Sequence, residues 1–308
     1  MDPLAPLPVA LAEEVADALG TGRGVVALET TIVAHGLPHP VNLEVAAACE
    51  VAVRAAGAVP ATIAVVGGVV RAGLTSAELA ALADPGRGVA KLSARDLGVS
   101  VARGGDGATT VAGTIAVAAA LGIAVMATGG LGGVHRGASE TYDESADLVA
   151  LSRYPVCVVA SGVKSILDVG ATLERLDTLG VPVVGYRTER FPGFYRRDAG
   201  FALEWSLEDP SGVARAFAAH RMVSPTGLLL AHPIDGRDEL DEGLHRAGLA
   251  AAEAAVARDA VTGKAVTPVM LAAFAGATGG ASVAANRALV VANARLAGEV
   301  ASELATRR

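Results

Sequence analysis

Lys164 stands in Val-Val-Ala-Ser-Gly-Val-Lys-Ser-Ile-Leu-Asp, where a β-branched run through Val158 and Val159 ends in small residues. The pattern predicts a lysine that opens an amphipathic helix at a strand end. Burial there disfavours the ammonium and favours an amine able to form a Schiff base with a carbonyl carbon. A solvated lysine at a helix start is the competing reading. Glu29 follows four apolar residues and is either a carboxylate held by backbone amides or a partly buried general acid. Thr30, Thr31, His35 and His39 come next, and threonine hydroxyls at a strand end commonly make turn hydrogen bonds. Asp143 and Asp147 are four apart with Ser145 between them, so on a helix both carboxylates share one face. Two carboxylates and water suit a hard divalent ion such as Mg²⁺ or Mn²⁺, while a solvated acidic first turn explains the same spacing.

Gly129-Gly130-Leu131-Gly132-Gly133-Val134-His135 follows a strand pattern and invites a dinucleotide reading, yet from Gly130 it runs Gly-x-Gly-x-x-His and lacks the third glycine of that fingerprint. Close approach of this backbone to a phosphate or sugar is still expected, with Lys91, Thr109, Thr110 and Thr128 as partners. No Gly-x-x-x-x-Gly-Lys-Ser/Thr loop occurs, which excludes P-loop nucleotide hydrolysis.

The elements that must position these residues alternate along the chain. Strand patterns fall at Val25 to Leu28, Thr62 to Val66, Ile123 to Ala127, Val156 to Ala160, Val181 to Val184 and Gly227 to Ala231. Helical patterns lie between them at Val41 to Ala56, Ser76 to Ala83, Thr109 to Leu121, Glu144 to Arg153 and Lys164 to Leu179. Such alternation predicts an α/β fold with a mostly parallel buried sheet flanked by helices. Three further helical patterns, Leu240 to Arg258, Pro268 to Ala275 and Val283 to Leu304, form a helical C-terminal part. Thr75 with Glu78 reads as a capping box and Gly180 as a helix stop. Glu29, Thr128 and Lys164 all follow strand ends, where open parallel sheets bind their ligands.

A chain of 308 residues, 52% hydrophobic and 19% charged, with no Pro/Ser-rich linker, is expected to form a single α/β catalytic domain over 1–308, with residues 1–10 a flexible lead-in. A net charge of -7 without a basic cluster argues against a nucleic-acid partner. Cys49 and Cys157 lack metal-ligand spacing and read as reduced core residues of a cytosolic protein. The first eleven residues have no basic n-region, so no secretory signal is expected. Residues 107–134 carry a single charge-free apolar stretch after Gly107, but its glycines divide it into pieces that suit a buried core, and no membrane span is expected.

Five blocks in order carry a resemblance. Residues 27–38 (Ala-Leu-Glu-Thr-Thr-Ile-Val-Ala-His-Gly-Leu-Pro), 57–68 (Gly-Ala-Val-Pro-Ala-Thr-Ile-Ala-Val-Val-Gly-Gly), 107–112 (Gly-Ala-Thr-Thr-Val-Ala), 128–137 (Thr-Gly-Gly-Leu-Gly-Gly-Val-His-Arg-Gly) and 162–168 (Gly-Val-Lys-Ser-Ile-Leu-Asp) resemble the pseudouridine-5'-phosphate glycosidase family. The resemblance implies reversible cleavage of pseudouridine 5'-phosphate to uracil and ribose 5-phosphate, one manganese ion (Mn²⁺) per subunit, a homotrimer and a cytoplasmic enzyme. It implies Lys164 as nucleophile, Glu29 as proton donor and Asp143 as metal ligand. Lys91, Val111 and the segment Ser145, Ala146 and Asp147 then fall on substrate-binding positions, which moves Asp147 from metal ligand to substrate or water-shell partner. Thr110, Thr128, His135 and Asn286 complete the expected substrate set. Thr30 replaces the serine commonly found after the acid in that family and keeps its hydroxyl. Another Schiff-base phosphosugar lyase, a related C- or N-glycosidase, or a silent sugar-phosphate-binding protein are the alternatives.

Overall fold

The computed structural model describes residues 8–259, 261, 263 and 266–307. β1 (Val9–Leu11) and α1 (Glu13–Thr21) lead into β2 (Val25–Leu28), a single π-helical turn at Ile32–Gly36, and α2 (Val41–Ala55). β3 (Val59–Val66), β4 (Val69–Ala72), α3 (Ser76–Ala83), β5 (Ala90–Leu92), α4 (Leu97–Ala102) and β6 (Gly107–Thr109) follow. The middle of the chain forms α5 (Val111–Ala120), β7 (Val125–Ala127), α6 (Ala138–Thr141), α7 (Ala146–Arg153), β8 (Cys157–Ala160) and α8 (Val169–Thr178). β9 (Val183–Tyr186), β10 (Ser206–Leu207), α9 (Pro210–Val223) and β11 (Leu228–Ala231) complete the sheet, and α10 (Glu242–Asp259), α11 (Val266–Ala277) and α12 (Ala281–Ala305) close the chain.

The strands form one sheet in the order β1-β4-β3-β2-β7-β8-β11-β9-β10, with β5 and β6 branching from β3. Every pairing is parallel except β3 with β4 and β3 with β6. This is the α/β fold with a mostly parallel sheet and helical C-terminal part that the alternating pattern predicts. β2, β7, β8 and β11 are buried along their whole length, as a sheet covered on both faces requires. α5 packs on β2, β3 and β7, while α12 packs on β2, β7 and β8 and against α2 and α9. The C-terminal helix therefore lies across the sheet centre. Small strand residues such as Ala27, Ala127 and Ala160 let these helices approach closely.

Several sequence expectations shift at element ends. Val9–Leu11 pair with β4 instead of forming a loose lead-in, and residues 1–7 lie outside the described residues. α8 begins at Val169 rather than at Lys164, because the Asp168 carboxylate accepts the Ala171 amide as N-cap. α7 begins at Ala146 rather than at Glu144, because Ser145 Oγ accepts the Asp147 amide. Asp143 and Asp147 thus do not share one helix face. α5 begins at Val111, capped by Thr110, and Thr109 belongs to β6. The Thr75–Glu78 capping box and the left-handed Gly180 that ends α8 are as the sequence predicts. Cys49 and Cys157 are buried and unpaired, and burial pushes both thiols up to about 12. Among the described residues no single helix is long and apolar enough to cross a membrane.

Asp147 is the polar joint of this framework. Its two carboxylate oxygens accept the Ala112 amide at the start of α5 (2.9 Å) and the Gly132 amide in the turn after β7 (2.8 Å). The side chain is 5% exposed. Replacing it leaves two buried donors unpaired, so Asp147→Ala is expected to lower stability by about 2–4 kcal/mol, read as a lower urea midpoint. A wild-type midpoint in that variant would remove Asp147 from this role.

Candidate active site

The chain passes from β2 outward to β3 and later returns to place β7 on the other side of β2. Strand order therefore reverses between β2 and β7, and the carboxyl ends of these two strands flank the crevice that such a switch point creates. Glu29 and Thr128 are the first residues beyond them. A cavity of about 660 Å³ opens at this place, and Glu29, Lys91, His135, Asp143, Lys164 and Asn286 all line it.

Glu29 is half-buried and accepts from two hydroxyls, Thr128 Oγ1 on Oε1 and Thr31 Oγ1 on Oε2. Both donors are neutral hydroxyls. Lys164 is also half-buried, and its Nζ donates to the Gly130 carbonyl at 2.8 Å. Its backbone amide donates to Leu131, which stitches the loop after β8 onto the turn after β7. Gly162 makes this loop possible: its φ is +77°, and a Cβ there would collide with the Pro192 carbonyl oxygen.

His135 Nδ1 lies 4.0 Å from Asp143 Oδ2. Burial lowers the His135 pKa below the usual histidine range, Asp143 opposes this, and the nearby Lys164 and Lys91 ammonium groups add to it. His35, on the π-helical turn, is likewise held low, first by burial and then by Lys91. Lys91 enters from β5, and the cap residue Thr110 and the buried Val111 enter from the start of α5. The Asn286 amide reaches the cavity from α12, and its Oδ1 is buried without a hydrogen bond from any described residue.

All the expected catalytic, metal and substrate residues therefore line one cavity, with Ser145, Ala146 and Asp147 along one wall, whereas Thr30, His39 and Thr109 do not line it. Thr30 and Thr109 are fully buried, and both hydroxyls donate to the Ile63 carbonyl, at 2.8 and 2.7 Å. They fasten β2, β3 and β6 together and are not free to meet a phosphate. The glycine run also differs from expectation. A Cβ on Gly130, Gly132 or Gly133 would strike Phe194, Ser145 or Thr172, so these glycines admit protein neighbours. Thr31, His35 and Phe194 line the cavity without having been singled out as binding residues; Thr31 and His35 could have been found from their places two and six residues after Glu29.

Among the described residues no group of three or more His, Cys, Asp or Glu side chains could hold a metal. The Asp143 carboxylate, partly exposed to the cavity, offers hard oxygen ligands, and an ion there would complete its shell with water or substrate.

Residues 14–303 match the family model described as indigoidine synthase A like protein. The chain is 58% identical over 297 residues to the pseudouridine-5'-phosphate glycosidase of Salinispora tropica, covering 96% of this chain and 91% of that protein. It is 50% identical to the enzyme of the same name from Roseiflexus sp., covering 96% of each. Among solved structures, the prealnumycin C-glycosynthase AlnA in complex with ribulose 5-phosphate superposes with a TM-score of 0.89 at 42% identity, over 97% of this chain and 98% of that one. An indigoidine synthase A-like protein from Thermotoga maritima gives a TM-score of 0.86 at 34% identity, over 97% of each chain. With this fold, this switch-point cavity and these relatives, the chain is an enzyme that belongs to the pseudouridine-5'-phosphate glycosidases of the indigoidine synthase A-like family.

Proposed function

We propose that this enzyme cleaves the C–C glycosidic bond of pseudouridine 5'-phosphate with water, giving uracil and ribose 5-phosphate, and that Lys164 forms the covalent intermediate. The observation that carries this reading is the pairing of an amine and a carboxylate in one cavity, indexed to the same turn: Thr128 holds Glu29 and Gly130 holds Lys164. The glycosidase relatives support the substrate, and AlnA associates the same fold with C-glycoside chemistry and a pentose phosphate.

The bond to be broken joins the anomeric carbon to uracil C5, so protonating a leaving oxygen or nitrogen cannot release the base as in ordinary glycosides. Lys164 Nζ attacks the anomeric carbon, the bond to the ring oxygen breaks, and Glu29 delivers a proton to that oxygen. The attacking nitrogen loses a proton, which returns through Glu29 to uracil C5. The nitrogen lone pair then forms the C=N bond as the C–C bond breaks, and its electrons restore the uracil ring. Water adds to the iminium, ribose 5-phosphate leaves, and the proton released as the free amine is restored returns to Glu29. Lys91, with Thr110 and the amide end of α5 at Val111, would hold the 5'-phosphate. His135, Ser145, Ala146 and Asn286 would line the sugar and base. Asp143 would hold the manganese ion, which supplies Lewis-acid polarisation of an oxygen bound beside it. We take the enzyme to be a cytoplasmic homotrimer; light scattering at about three times the 30.6 kDa protomer mass would support this, and a monomer would refute it.

With purified wild type, borohydride and ribose 5-phosphate are expected to trap an adduct on Lys164. Lys164→Arg keeps the charge without the nucleophile, and should lose both the adduct and uracil release. Retained turnover in Lys164→Arg would refute the covalent route. Chelation is expected to stop uracil release and added Mn²⁺ to restore it, whereas undiminished activity in excess chelator would remove the metal from the reaction.

A further inference from the structure

We propose that Asn293 is a positioning residue for both Glu29 and Lys164, acting through the turn at 128–130 that its buried amide holds. Asn293 sits on α12 with no exposure to solvent. Its Nδ2 donates to the Thr128 carbonyl at 2.8 Å and to Ser161 Oγ at 3.1 Å, with the Gly129 carbonyl at 3.4 Å. Thr128 is the residue whose hydroxyl holds Glu29, and Gly130, two residues on, accepts from Lys164. Ser161 begins the loop that carries Lys164, and its amide donates to the Gly129 carbonyl at 2.9 Å. One side chain thus ties the end of β7 to the end of β8, at the root of both reactive groups.

The orientation of that amide is itself determined. Carbonyls accept only, so the nitrogen must face Thr128 and the oxygen must face His232, whose Nδ1 lies 2.8 Å from Oδ1. The His232 proton therefore sits on Nδ1. Burial is the largest influence on this imidazole and lowers its pKa below the usual histidine range. His232 follows β11, hangs from the Ala160 carbonyl through its own amide and meets Tyr186 edge-on, so the brace reaches across to β9. Asn293 does not line the cavity, which separates it from the residues that would touch substrate. A displacement of even a few tenths of an ångström at Thr128 would be felt at Glu29, where catalytic geometry tolerates little error.

The kinetic consequence rests on the glycosidase reading above. With pseudouridine 5'-phosphate as substrate, Asn293→Leu is expected to lower kcat by about 10- to 100-fold while KM stays within about twofold. If the effect travels through Thr128, then Thr128→Val combined with Asn293→Leu costs no more than the worse single variant. Additive losses, or a raised KM with unchanged kcat, would overturn the assignment. Should Asn293→Leu fail to fold, the shorter Asn293→Ser removes the same bonds and is held to the same outcomes. If the wild type releases no uracil, the glycosidase reading fails by itself. The positioning role is then decided by a ligand-free crystal structure of the variant: a Thr128 hydroxyl displaced from Glu29 supports it, and an unmoved one overturns it.

Discussion

The parallel register of β2, β7 and β8 is the constraint on which the site depends. Leu28 is paired with Ala127, and Ala127 with Val159, so the three strands end nearly flush. Glu29 and Thr128 must then emerge side by side, and the loop after Ala160 must cross the turn after Ala127. A slip of one residue between β2 and β7 would turn Glu29 to the opposite face of the sheet, and one between β7 and β8 would displace the loop that carries Lys164. What prevents the slip is burial on both faces: these strands are apolar throughout, and α5 and α12 clamp them from either side. The chemistry is exact because the packing beneath it has no alternative register.

The charge arrangement follows from the same framework. The chain carries a net charge of -7, so a phosphorylated ligand has to find a locally favourable place on an acidic protein. Much of the negative charge near the cavity is occupied elsewhere. Asp147 is spent on two backbone amides, and Glu144 on Arg175 at 2.9 Å. Lys91 and Lys164 face the cavity, and their charges help keep His135 neutral. A neutral imidazole can accept as well as donate hydrogen bonds.

Much of this was legible in the sequence, and the failures have physical causes. Long periodic segments such as α2 and α3 appeared where their apolar spacing and caps indicated. Short elements did not: β5, β6 and β10 have three residues or fewer, too few to establish a period, and their pairing comes from tertiary context. α9 is harder to read because apolar residues lie on its exposed side as well, Met222 and Val223 among them, which blurs the helical period, although Asp209 and Pro210 mark its start. The sequence points to Lys164 but not to its setting, because the Asp168 cap takes the helix start and leaves the lysine in a turn. Lysine usage was a further signal. The chain has three lysines, at 91, 164 and 264, and the two among the described residues, Lys91 and Lys164, both line the cavity. The other 22 of its 25 basic residues are arginine, which supplies charge but no nucleophilic amine.

α12 shows why a site assembled at strand ends still needs the end of the chain. Asn286 and Asn293 are seven residues apart, two helical turns, so both lie on the face turned to the sheet. A buried amide in an apolar helix is costly unless it is satisfied, and the two resolve that cost differently. Asn293 is fully engaged beneath the strand ends, whereas Asn286 Oδ1 has no hydrogen-bond partner among the described residues. Glu29 lies near one end of the chain and Asn293 near the other, so the hydrogen bonds at residues 128–130 join the loop after β2 and the loop after β8 to the last helix.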